Sequence, residues 1–93
     1  MLVVITYDVN TMTVAGEKRL AKLCERYGVR VQNSVFEVLV DATQLTALKH
    51  ELSKEINEDV DSIRFYRLGN SYQNKIDSMG KKLKVEAGEP LLF

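Results

Sequence analysis

Met1-Leu2-Val3-Val4-Ile5-Thr6-Tyr7-Asp8 decides the fold. An unbroken run of apolar, β-branched and aromatic residues meets a carboxylate. A run this short, rich in Val, Ile and Thr, predicts a buried strand flanked by other elements on both faces rather than a helix. Asp8 then stands where a central strand gives way to a loop. A strand fixes position and a loop leaves a side chain open, so this is a favourable place for a ligand or catalytic group.

Working outward, Val9-Asn10-Thr11-Met12-Thr13 is a polar loop, with Thr13 placed to cap a helix. Gly16 and Glu17 follow, so the capping box is imperfect. Residues 14–27 carry Leu20, Leu23, Cys24 and Tyr27 at helical spacing, and Arg19, Lys22 and Arg26 on a neighbouring stripe. Gly28 reads as the stop. Val29–Gln32 and Val35–Val40 read as two strands around Asn33-Ser34, a hairpin turn or bulge in which Asn tolerates positive φ. Asp41-Ala42-Thr43 starts a second helix, with Leu45, Leu48, Leu52 and Ile56 on one face and Asn57 at its end. Ser62–Leu68 alternates as a fourth strand, with Ile63 and Phe65 on one face and Arg64, Tyr66 and Leu68 on the other. Gly69-Asn70-Ser71 turns the chain, and Glu89-Pro90-Leu91-Leu92-Phe93 makes a short apolar ending that should dock on its own body or on a second copy. The order β-α-β-β-α-β predicts an α+β, ferredoxin-like βαββαβ sandwich, an antiparallel sheet with two helices on one face and an extra C-terminal strand.

With 93 residues and an apolar fraction of 45%, the chain reads as one folded domain. A domain this small buries only about 60% of its unfolded surface, so a dimer would help it. One cysteine, Cys24, allows no intrachain disulfide and fits a reducing, cytoplasmic setting. No membrane span or secretion signal is expected. The formal net charge of zero argues against indiscriminate polyanion binding, yet the charges are segregated. Lys18, Arg19, Lys22, Arg26 and Arg30 form one basic stretch; Arg64, Arg67, Lys75, Lys81, Lys82 and Lys84 form another. Between them lie Glu51, Glu55, Glu58, Asp59 and Asp61. A solvated surface of mixed charge and a molecule with a basic and an acidic face are both compatible with this pattern.

One Cys and one His cannot make a zinc site. His50 reads as a surface side chain and Cys24 as an inert core thiol. Phosphate loops, nucleophile elbows and paired RNA-binding aromatics are missing from the sequence. Asp8 has two roles open to it: a cap or loop carboxylate bonded to backbone amides, or a ligand for a hard cation. One Asp per chain is a thin cation site, but two-fold symmetry would double it. A bound Mg²⁺ would then polarise a phosphodiester and activate water, with Arg19 and Arg30 on phosphate and Ser34 donating a hydrogen bond.

Val4–Val9, Tyr27–Glu37, Tyr66-Arg67-Leu68-Gly69 and the Pro90-Leu91-Leu92-Phe93 ending, in this order and spacing, resemble the small CRISPR-associated adaptation subunit, the Cas-two family. The likeness spans nearly the whole chain. It implies a ferredoxin-like homodimer whose terminal strand, about residues 89–93, crosses to the partner's sheet. It implies a subunit of CRISPR adaptation, or spacer acquisition, that stands beside the CRISPR integrase on double-stranded DNA. It implies that Asp8 is the metal-binding, catalytic aspartate of members that are Mg-dependent endonucleases on RNA or DNA. Tyr7, Arg19, Arg30, Ser34 and Phe36 match positions implicated around that site. The alternative is a non-catalytic scaffold bridging integrase dimers on duplex DNA; a regulatory module for a small molecule is a third reading, disfavoured by the segregated charge. The chain departs from many members at Glu17-Lys18-Arg19, which offers one arginine and one lysine where two arginines are usual, and lysine lacks the bidentate fork.

Overall fold

The computed structural model describes residues 1–10 and 13–80. Six elements follow in order: β1 (Leu2–Asp8), α1 (Val14–Glu25), β2 (Gly28–Gln32), β3 (Val35–Leu39), α2 (Ala42–Ser53) and β4 (Ser62–Gly69). The sheet runs β2-β3-β1-β4 with every neighbour antiparallel, the expected ferredoxin-like arrangement. β1 is central: Ile5 stands between Phe36 of β3 and Phe65 of β4.

Period-two alternation sorts β1 into two sides. Val3, Ile5 and Tyr7 point into the core with Phe36 and Val38 of β3. The apolar stripes of the helices, Leu20, Ala21 and Cys24 from α1 and Leu45, Leu48 and Leu52 from α2, close that core. The other side of β1 differs from the sequence expectation. Helices cover one face of the sheet only, and Val4 and Thr6 stay half-buried beside the half-buried Val35, Glu37 and Leu39 and the exposed Arg64 and Tyr66. An unbroken apolar run does not distinguish a strand covered on both sides from one whose second side awaits another surface.

The helix starts are set by side chains. Thr13 Oγ1 accepts from the Gly16 amide at 3.0 Å, satisfying one of the first-turn donors. Asp41 forms a full capping box with Gln44: its carboxylate accepts from the Gln44 amide at 2.7 Å, and Gln44 Oε1 accepts from the Asp41 amide at 2.9 Å. Both helices end earlier than the spacing predicts, α1 at Glu25 and α2 at Ser53. Gly28 is therefore no helix stop. It is the first residue of β2, pressed against β3: a Cβ there would lie 1.9 Å from the Glu37 carbonyl oxygen. The Asn33-Ser34 turn needs no left-handed residue, since no described non-glycine residue has positive φ. A register shift between Arg30 and Gln32 accommodates it instead. Gly69 has φ 77°, the left-handed turn conformation that suits glycine. The expected terminal strand at 89–93 lies outside the described residues.

Candidate nucleic-acid and cation site

The central strand delivers two neighbouring side chains to opposite sides of the sheet. Tyr7 points toward the helices and is buried; Asp8 points the other way at the strand's end and is exposed. Asp8 pairs with Ser62 across the β1–β4 ladder. Its carboxylate makes no hydrogen bond or ion pair with the described residues, so the loop-carboxylate role finds no partner there. No group of three His, Cys, Asp or Glu side chains among the described residues is placed to hold a metal ion. A cation at Asp8 would draw one carboxylate from this chain and complete its shell with water, phosphate oxygen or a second chain, a donor set that suits Mg²⁺.

Around Tyr7 the structure builds a cluster. The Tyr7 hydroxyl donates to the Asn33 carbonyl at 3.1 Å, and the Tyr7 amide donates to the Ser34 carbonyl at 3.1 Å. Arg30 Nη2 donates to the Tyr7 hydroxyl at 3.4 Å. The same guanidinium lies 5.1 Å over the Phe36 ring, which stacks on Tyr7 with centroids 6.1 Å apart. Register explains the meeting, since Arg30 stands opposite Phe36 on β3, and Phe36 opposite Ile5 on β1. Burial raises the Tyr7 phenol above its ordinary value, while the charge of Arg30 pulls the other way. The phenol thus stays protonated and able to donate. Arg30 is exposed but braced on the Phe36 ring and the Tyr7 hydroxyl, with part of its fork left for a planar anion.

Tyr7, Arg30, Phe36 and the backbone of Ser34 therefore come together. Arg19 does not join them. Its Nε donates to Glu55 Oε1 at 2.9 Å, linking α1 to the turn after α2. The exposed cations of α1 are Lys18, Arg19 and Lys22, with Arg26 at its C-cap. Cys24 is fully buried with its thiol pushed up to about 12, chiefly by burial, so it is no nucleophile. His50 is exposed, as expected.

Sequence reasoning passed over Asp61, grouping it with the acidic segment. It is the one buried charged side chain among the described residues. Asp61 Oδ1 accepts from the Asn10 amide at 2.8 Å, and Oδ2 from the Asn57 amide at 2.9 Å. A carboxylate directly before a strand and four residues after an asparagine is the sequence signal of such a turn.

Set against known proteins, residues 1–76 match the family model described as CRISPR associated protein Cas2. A protein of Halalkalibacterium halodurans named CRISPR-associated endonuclease Cas2 is 55% identical over the full length of both chains. One of Rhodospirillum rubrum, named CRISPR-associated endoribonuclease Cas2 3, is 46% identical over 99% of this chain and 100% of its own. The crystal structure of Streptococcus pyogenes Cas2 at pH 6.5 superposes with a TM-score of 0.75 at 48% identity, covering 86% of this chain and all of that one.

Proposed function

Because this chain belongs to the Cas2 family of CRISPR-associated proteins, we propose that it is a dimeric nucleic-acid-binding nuclease of CRISPR adaptation, with Asp8 as its cation ligand. The observation that carries this is Asp8 itself: exposed at the end of the central strand, with no partner among the described residues. The names of the relatives, endonuclease and endoribonuclease, support phosphodiester hydrolysis.

Asp8, doubled by a two-fold axis, would hold a divalent cation such as Mg²⁺. When bound, that ion supplies charge neutralisation at a phosphodiester and a water of lowered pKa. From the helix side of the sheet, opposite Asp8, the chain's own residues would grip the nucleic-acid backbone. Arg30, held by Tyr7 and Phe36, presents its fork to a phosphate, and the Ser34 hydroxyl donates to a neighbouring phosphate oxygen. Lys18 and Lys22 on α1 and Arg26 at its C-cap extend the cationic track for the backbone. Dimerisation is supported by the half-covered sheet face of Val4, Val35, Leu39 and Tyr66, which a second copy would bury. Residues 89–93 would cross to that copy's sheet. A chain ending at residue 88 should then sediment as monomer at concentrations where the full chain is a dimer; an unchanged mass refutes the exchange.

A metal titration of cleavage on matched RNA and DNA tests the site. Asp8→Asn should abolish metal-dependent cleavage while leaving the dimer and its duplex binding intact. Cleavage that survives in a rigorously purified variant removes the catalytic assignment. The alternative, a non-catalytic bridge between integrase dimers on duplex DNA, is favoured by the lack of any group of three His, Cys, Asp or Glu side chains placed to hold a metal among the described residues. It predicts that Asp8→Asn leaves spacer acquisition at the wild-type rate.

A further inference from the structure

We propose that Asp61 is a positioning residue for Asp8: its carboxylate clasps the loop leaving β1 to the turn entering β4, and so holds the end of the central strand still. The proposal rests on the assignment of Asp8 as a cation ligand.

The β1–β4 ladder ends at the pair Asp8 and Ser62. Beyond that rung the backbones have no further mutual ladder. Asp61 adds one through its side chain, standing one residue before Ser62 and reaching the amide two residues after Asp8. Asn10 returns a second tie, donating from Nδ2 to the Val60 carbonyl at 3.1 Å. The turn does not need the long reach for its own sake. It is already closed locally, by the Asp61 amide on the Asn57 carbonyl at 2.7 Å and the Val60 amide on the same oxygen at 3.1 Å. The Asn57 side chain adds a bond from the Asp59 amide at 3.1 Å. What the bond from Asp61 Oδ1 to Asn10 adds is a fixed exit for β1.

The chemistry of the acceptor matters. A buried carboxylate is costly unless amides or charges satisfy it. Here each oxygen receives a backbone amide, a charge-assisted bond of short length. An asparagine would keep one accepting oxygen and turn an NH₂ group toward a second N–H. Asp61→Asn should therefore preserve the turn and lose one of the two links. Groups that hydrogen-bond a metal ligand directly typically change metal affinity or activity by about 10–100-fold when lost, and Asp61, which acts one step further out through Asn10, should fall at the low end.

The test uses the full-length protein with Mn²⁺ as the probe ion. In the wild type, the Asn10 amide should be protected from hydrogen exchange well above the rate of an open loop. In Asp61→Asn, that protection should fall and the order parameter of the Asp8 amide should drop, while core amides such as Ile5 and Phe36 keep theirs. Mn²⁺-induced broadening at Asp8 should then require about tenfold more metal, and cleavage should weaken in step. If Asp61→Asn does not fold, the wild-type exchange measurement still decides: an Asn10 amide that exchanges as an open loop overturns the clasp. A variant that frees Asn10 yet leaves the Asp8 order parameter and Mn²⁺ affinity unchanged overturns it as well. Asp8→Asn run in parallel separates the two ideas. If Mn²⁺ broadening and cleavage survive in Asp8→Asn, the ligand assignment fails, whereas the Asp8 order parameter in Asp61→Asn still judges the clasp.

Discussion

Replacing Gly28 with alanine puts a methyl group where the sheet has no room. The added Cβ would lie 1.9 Å from the Glu37 carbonyl oxygen, 2.6 Å from the Val38 Cα and 2.8 Å from the Glu37 carbonyl carbon. All three are backbone atoms, so no side chain can swing aside. The start of β2 must retreat from β3 by roughly an ångström before the contact is tolerable, and core overpacking of this sort costs about 1–3 kcal/mol. The displacement also loosens the flanking bond from the Leu39 amide to the Tyr27 carbonyl, now 3.0 Å, worth about 1 kcal/mol. Together, a loss of about 2–4 kcal/mol is expected, and for a domain of this size each kcal/mol lowers Tm by about 4–8 °C. Urea and thermal unfolding of Gly28→Ala measure it. Gly69→Ala is the matched control. Its φ of 77° penalises a side chain, but nothing stands within 4 Å of the new Cβ, so its cost should stay near 1 kcal/mol. A Gly28→Ala protein as stable as wild type, or more stable than Gly69→Ala, refutes the idea that the glycine serves close strand approach.

Glu37 lies on the open side of the sheet, and burial raises its carboxyl above the ordinary value of 4.5. The folded state thus holds that proton more tightly than the unfolded state, so stability falls as pH rises from the ordinary value through the raised one and stays lower at neutral pH. Glu37→Gln should raise Tm at pH 7, with the gain vanishing below pH 4.5; an equal gain at both pH values assigns the effect to something other than the charge. Tyr7→Phe removes the hydroxyl that bonds Asn33 and receives Arg30, and should cost about 0.5–1.5 kcal/mol in chemical denaturation. Arg19→Ala loses only an exposed ion pair, so its stability cost should stay below about 1 kcal/mol. If Arg19 also meets a phosphate, the same change should flatten the salt dependence of duplex binding by roughly 0.9 in log–log slope, and an unchanged slope removes it from the interface. Cys24 should react with iodoacetamide only as fast as the chain unfolds, and brisk labelling of the native protein would contradict its burial.

Much of this architecture is legible in the residues because local signals agree. The run ending at Asp8 marks a central strand, and Thr13 and Asp41 mark helix starts. Gly28 is the instructive miss. A glycine after a helical stripe looks like a stop, and only the partner strand reveals that it is there to let backbones touch. The site is less legible than the fold. Asp8 announces itself by position, but the meeting of Arg30 with Tyr7 and Phe36 depends on the pairing register and its shift past Arg30, which no propensity encodes. The same holds for Arg19 with Glu55 and for Asp61 with Asn10, which are joined across 36 and 51 positions.

The central place of β1 has a bearing on how the chain comes to be made. The strand is made before the rest of its sheet, yet its neighbours on the two sides are β3 and β4, and the latter ends only at Gly69. Until then, a nascent chain carries Leu2, Val3 and Ile5 with one hydrogen-bonding edge bare. Of the strand pairings among the described residues, only β2 with β3 joins sequence neighbours, so that hairpin can form early while the middle of the sheet waits. Slow translation before residue 62 would therefore lengthen the interval in which this edge can capture another unfinished copy.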